Sequence, residues 1–184
     1  MKGIVFTEFL EMVEKKFSPE LADSIIEEAE LPSGGAYTSV GTYDHREMVQ
    51  LVSCLSKETG ISTADLLRSF GIYMFGRFYV LFPQYFDGID TSFRFLEKIE
   101  NYIHVEVRKL YPDAELPSFE CDTSQPGCLR LTYRSTRPFA SLAEGLIRGC
   151  VAHFGEDADV EVEDLSNGAG IMARFLISRR GTSS

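Results

Sequence analysis

The sequence predicts an α+β fold, in which an N-terminal helical subdomain packs on a C-terminal antiparallel sheet with its own helices. Three observations predict it. The first half carries apolar residues at helical spacing, two stretches in the last third alternate apolar with polar residues, and a short helix separates those stretches. No repeat, low-complexity tract or linker interrupts the 184 residues, so a single domain spanning 1–184 is expected.

Ile4, Phe6, Phe9, Leu10, Val13 and Phe17 recur at helical spacing and form the first expected helix. Ser18-Pro19 then opens a second helix with Leu21, Ile25 and Ile26 on its apolar side, and Pro32-Ser33-Gly34-Gly35 closes that unit. Asp44 caps a third helix carrying Met48, Leu51, Val52 and Leu55, with Gly60 as its stop; Ser62 or Thr63 caps a fourth that runs towards Pro83. Between Phe93 and Leu110, Leu96, Ile99, Ile103 and Val107 predict one further helix, ended by Tyr111-Pro112-Asp113. Leu129, Leu131 and Tyr133 alternate with Arg130, Thr132 and Arg134, the period of a half-buried strand. Ser141-Leu142-Ala143-Glu144 reads as a capping box for a helix ending near Gly155. Val160, Val162 and Leu165, then Asn167-Gly168, then Ile171, Ala173, Phe175 and Ile177 predict a tight hairpin.

Composition removes several function classes. The net charge is -10, which repels phosphate backbones and anionic lipid, so neither nucleic acid nor an acidic membrane surface is an expected partner. The most apolar run, Phe70 to Phe86, is broken by Arg77, Pro83 and Gln84 and falls short of the roughly 18 residues a spanning helix needs. The N-terminus has no apolar stretch leading to a small-residue cleavage site, and a cytoplasmic location is expected. Cys54, Cys121, Cys128 and Cys150 form no CxxC pair and are read as reduced thiols, although Cys121 and Cys128 flank a turn that a disulfide can bridge.

Four features bear on chemistry. Between Phe70 and Phe95, ten of the 22 aromatic residues fall within 26 positions; such a wall suits a large flat ligand, and composition alone favours an ordinary core. Gly145 and Gly149 sit one turn apart inside a helix, where each costs about 1 kcal/mol relative to alanine, so a ligand or another helix approaches that backbone closely. His104 shares a helix face with Glu100, Asn101, Val107 and Arg108, as a surface histidine at a helix end or as a metal ligand. Tyr133, Ser135 and Arg137 continue the phase of Leu129 and Leu131. Three donors pointing one way either hold carboxylates, at about 1.5 to 3 kcal/mol per charge-assisted bond, or form a polar strand end. Gly168-Ala169-Gly170 lacks the strand-to-helix context of a dinucleotide fingerprint.

The stretch from Ile103-His104-Val105-Glu106-Val107 through Leu110-Tyr111-Pro112-Asp113-Ala114-Glu115-Leu116-Pro117, with Tyr133-Arg134-Ser135-Thr136-Arg137, closely resembles the haem-nitric oxide/oxygen binding (H-NOX) domain, the haem domain type of soluble guanylate cyclase. Met1-Lys2-Gly3-Ile4-Val5 and Ala143-Glu144-Gly145-Leu146-Ile147 are similar to the same family, so the resemblance covers essentially the whole chain. It implies one haem b between helical subdomain and sheet, with His104 as the iron ligand and Tyr133, Ser135 and Arg137 on the propionates. It also implies that Pro117 presses on the porphyrin. Imidazole suits haem iron, and burying about 500 Å² of macrocycle stabilises by about 12 kcal/mol before association costs.

On the distal side, Leu142 and Met74 match the positions where oxygen-binding relatives carry a tyrosine and its polar neighbour. Val5, Phe9, Phe78 and Leu146 complete an apolar pocket. Without a donor, bound oxygen forgoes about 1.5 to 3 kcal/mol, which implies selection of nitric oxide, with carbon monoxide also bound. Relatives with a zinc cluster place cysteines near the C-terminal hairpin, and none follows Cys150 here. The resemblance therefore implies a stand-alone sensor, not an enzyme, that signals to a separate histidine kinase or diguanylate cyclase. The rival readings are a haem-free ligand-binding or protein-interaction module, and a haem peroxidase or oxidase, which needs polar distal groups that His45 and His153 do not match.

Overall fold

The computed structural model describes residues 1–180. Helices α1 (Gly3–Lys16), α2 (Pro19–Glu28), α3 (His45–Thr59) and α4 (Thr63–Leu81) build the helical half. They are followed by α5 (Ser92–Glu97) and α6 (His104–Leu110), then by strands β1 (Ser118–Asp122) and β2 (Cys128–Arg134), helix α7 (Ala140–His153), and strands β3 (Ala158–Asp164) and β4 (Met172–Arg179). The sheet is antiparallel with order β1-β2-β4-β3. This is the α+β architecture the sequence predicts.

Local chemistry sets most of the boundaries. Ser18 accepts a hydrogen bond from the Leu21 amide and Pro19 occupies the first turn of α2. Asp44 accepts from the Arg46 amide at α3, Gly60 closes that helix at φ 71°, and Ser62 caps α4. These caps satisfy amides and carbonyls that a helix end otherwise leaves open.

Three expectations need correction. The single helix from Phe93 to Leu110 is broken: α5 ends at Glu97, and residues Ile99–Ile103 form a π-helical turn before α6 starts at His104. His104 is therefore the first residue of a helix rather than a late one. The capping box does not form, because α7 already starts at Ala140, where the Ala140 amide donates to Gly170 O at 2.9 Å. Ser141 is left inside the helix, and Glu144 is buried between Arg68 and Arg148 of α4 and α7, both Nε atoms 2.8 Å away. The last hairpin is not tight: pairing stops at Asp164 and Ala173, and Asn167 and Gly168 take positive φ in a longer connection. Strand β1 carries no alternation that would announce it, and pairing with β2 defines it. Cys121 pairs across the ladder with Leu131 and Cys128 with Ser178, and all four cysteines are free thiols.

Two apolar clusters fill the interior. One joins α1 to α4 through Phe6, Phe9, Met12, Leu51, Phe70 and Met74. The other lies between α5, α7 and the sheet and includes Phe75, Leu129, Tyr133, Ile147 and Phe175. Leu146 packs against both. The aromatic wall from Phe70 to Phe95 divides between these clusters and is largely core, with edge contacts such as Phe9 to Phe70 at 5.2 Å and Phe75 to Phe95 at 5.3 Å.

The two helix glycines answer to a helix. A Cβ on Gly145 would lie 2.2 Å from Arg68 O and 2.8 Å from Gly71 Cα, and one on Gly149 would lie 2.8 Å from Phe75 Cβ. Gly71 is the partner on α4, where a Cβ would meet Leu142 O at 2.4 Å. The α4 and α7 backbones thus touch. Gly145→Ala forces backbone atoms apart, and overpacking of this kind costs about 1 to 3 kcal/mol. A fall in melting temperature of about 2 to 12 °C is expected by thermal unfolding; an unchanged melting temperature would contradict the close approach.

Candidate functional site

The π turn sets up His104. Its amides reach back five residues, Ile103 N–H to Lys98 O at 3.0 Å and His104 N–H to Ile99 O, a widening that often marks functional segments. His104 is buried, with 10% of its side chain exposed, and its Nδ1 lies 3.1 Å from Glu100 Oε1. The same carboxylate oxygen accepts the Phe119 amide of β1 at 2.7 Å. Burial lowers the His104 pKa below the usual histidine value, against the attraction of Glu100. The ring is neutral at pH 7, and a carboxylate can only accept, so Nδ1 carries the proton and Nε2 the lone pair. Nε2 has no hydrogen-bond partner among the described residues. The atom is not sealed from accessible space.

An aromatic ladder joins this ring to the polar strand end. Phe119 lies 6.1 Å from His104 and 5.5 Å from Tyr133 between ring centroids. The register pairs Phe119 with Tyr133 and Ser118 with Arg134, which sets Pro117 beside the chain that continues to Ser135. Burial raises the Tyr133 pKa against the nearby Ser135, Arg137 and the Phe139 amide, leaving a neutral phenol able to donate. Ser135 Oγ accepts the Arg137 amide at 3.0 Å, and the Ser135 amide donates to Ile171 O at 2.8 Å. The Arg137 guanidinium, 13% exposed, pairs with Glu115 at 2.5 Å. After burial, Arg137 is the next largest influence lowering the pKa values of the Met1 amine and His45. Two hydroxyls and a guanidinium therefore gather in a positive field suited to carboxylates.

The apolar residues occupy the seam between the two clusters. Val5, Phe78 and Leu142 are partly buried against the helical cluster, and Ile103, Val107 and Phe119 against the sheet cluster, with Leu146 between. Phe9 and Met74 differ: at 0% and 2% exposure they are sealed in the helical core and back the wall instead of presenting surface. Pro117 keeps partial exposure. Glu100, which the sequence places on the His104 face, and Phe119, which it does not single out, carry much of this geometry. An acid four residues before a histidine on one helical face is the signal that points to Glu100.

A family model described as Haem-NO-binding matches residues 2–162. The chain belongs to the Haem-NO-binding family. The crystal structure of an Fe(II) unliganded H-NOX protein from K. algicida is 39% identical, with 100% of this chain and 99% of that chain covered and a TM-score of 0.93. The solution structure of an IWP-051-bound H-NOX from Shewanella woodyi in the Fe(II)CO state is 42% identical, covering 100% and 97% of the two chains at a TM-score of 0.83. An H-NOX from S. oneidensis in the Fe(II)NO state, 23% identical over 98% and 100% at a TM-score of 0.90, is similar in fold.

Haem is the cofactor of this H-NOX chain, and the family is one of haem-based gas sensors. The donor set is chemically suited to that group: a neutral imidazole nitrogen without a hydrogen-bond partner among the described residues, and two hydroxyls with a guanidinium able to hold carboxylates. No helix among the described residues is long and apolar enough to cross a membrane.

If burial outweighs Glu100 at His104, the ring titrates below pH 6.5 in haem-free protein, and stability is full above that pH and falls as the solution is acidified through it. Long-range ¹H–¹⁵N spectra are expected to show the Nδ1-protonated neutral form at pH 7; a midpoint above 6.5 would mean that the carboxylate dominates.

Proposed function

We propose that this single domain is a nitric oxide sensor in which His104 Nε2 holds the haem iron. Tyr133, Ser135 and Arg137 hold the propionates, and Val5, Phe78, Leu142 and Leu146 face the gas, backed by Phe9 and Met74. The observation that carries the reading is the divided His104 ring, with Nδ1 committed to Glu100 and Nε2 open beside the apolar seam. When bound, a ferrous haem held by His104 would supply an iron that takes a diatomic gas.

The residues then have separate tasks. Arg137 must exchange its contact with the exposed Glu115 for a carboxylate of the cofactor, and Tyr133 and Ser135 add neutral donors. Leu142 and Met74 have no polar hydrogen to offer, so a partly charged oxygen ligand goes unsupported while nitric oxide, which needs no such bond, is retained. Pro117, one residue before β1, would contact the cofactor. His104, as the tether between the cofactor and α6, would let gas binding bias the packing of the helical half on the sheet. The output is relayed to a separate cytoplasmic histidine kinase or diguanylate cyclase, without turnover of substrate; carbon monoxide is a second ligand.

Reduced protein titrated anaerobically with nitric oxide and then with air tests this. A large absorbance change with nitric oxide and no stable spectrum of an oxygen-bound form are expected. Leu142→Tyr places a hydroxyl on the distal wall and is expected to strengthen oxygen binding about 10- to 150-fold, the range of 1.5 to 3 kcal/mol. A stable oxygen-bound spectrum in the unsubstituted protein would overturn the selectivity.

A further inference from the structure

Glu100 does more than neighbour the ligand histidine. One carboxylate oxygen, Oε1, takes two donors from different parts of the fold: His104 Nδ1 at 3.1 Å across the π turn, and the Phe119 amide at 2.7 Å from the strand that begins one residue after Pro117. The His104 ring is therefore fixed to β1 through one atom. The other side of Glu100 opens on a small cleft shared with Leu96, Asn101 and Cys121, so 28% of its side chain stays exposed.

A carboxylate accepting the second nitrogen of a metal-bound histidine fixes its tautomer and makes it a more basic ligand. It is also a stronger acceptor than a neutral carbonyl. We propose that Glu100 is a positioning residue that sets the strength of the bond between His104 and iron, and with it the threshold at which nitric oxide detaches the histidine. This rests on His104 being the iron ligand. Because the same oxygen holds Phe119, Glu100 also keeps the histidine and the Pro117 segment in register, so both bear on the cofactor together.

Glu100→Gln separates charge from shape, since its amide oxygen can still accept both donors. Glu100→Ala removes both and leaves the Phe119 amide unpaired. The readouts on haem-loaded protein are the iron–histidine stretching frequency of the reduced, gas-free form by resonance Raman, and the midpoint potential. Glu100→Gln is expected to lower the frequency and raise the potential by about 59 mV, a tenfold weakening of ligand support. It is also expected to raise the ratio of detached to attached histidine after nitric oxide addition about tenfold. Glu100→Ala, if it folds and loads, shifts further in the same direction; if it does not, Glu100→Gln alone decides.

Frequency and potential unchanged in Glu100→Gln would overturn the proposal. If His104→Gly retained the wild-type stretching band, the assignment of the ligand would fail instead, and the two failures are thus told apart.

Discussion

The His104 ring is asked to do two things at once, and the fold is arranged so that the two do not compete. Nδ1 is spent on Glu100, and Nε2 is left without a partner at the edge of an apolar seam. A histidine held by neither side would rotate, and one held on both sides would have nothing to give a metal. The π turn makes this arrangement possible. It ends as α6 begins, so His104 sits where the helix is newly started and Glu100 lies one turn behind it. From there Phe119 extends the linkage to Tyr133, and the strand pairing brings Pro117 alongside. His104, the Pro117 segment and the Tyr133 strand end are thus parts of one connected structure.

The opposite wall has a different origin. Gly71 on α4 and Gly145 on α7 let two backbones touch, which fixes Leu142 and Leu146 at the boundary of the two cores. Closely packed helices leave little freedom to the side chains at their junction. Buried ion pairs, Glu8 with Arg77 between α1 and α4 and Glu144 with Arg68 between α7 and α4, add orientation to that contact. A removed partner in such a pair leaves a costly buried charge, which ties the register of α1 and α7 to α4. Lys2 reaches across to Asp113 and Thr42, linking the chain start to the segment after α6.

Much of this was legible in the sequence because caps and periodicity are local. Ser18-Pro19, Asp44, Gly60 and Ser62 act within one turn, and Leu129, Leu131 and Tyr133 alternate on a strand whose inner face is buried. The polar set Tyr133, Ser135 and Arg137 was readable for the same reason, since it continues that phase. What was not legible depends on partners distant in the chain. No glycine or proline marks the break before His104. Strand β1 exists because β2 pairs with it, and the start of α7 is decided by Gly170 O, thirty residues downstream, instead of by Ser141. Gly145 announced a close approach without saying to what; Gly71, in a stretch that reads simply as apolar helix, supplied the answer.

The central claim is that one imidazole holds the iron. The most direct measurement is the anaerobic absorbance spectrum of reduced His104→Ala protein beside the wild type, with free imidazole then added. Bands displaced from those of the wild type and restored by imidazole are expected. Identical bands before and after, or a wild-type chain that stays colourless with added hemin, would contradict it.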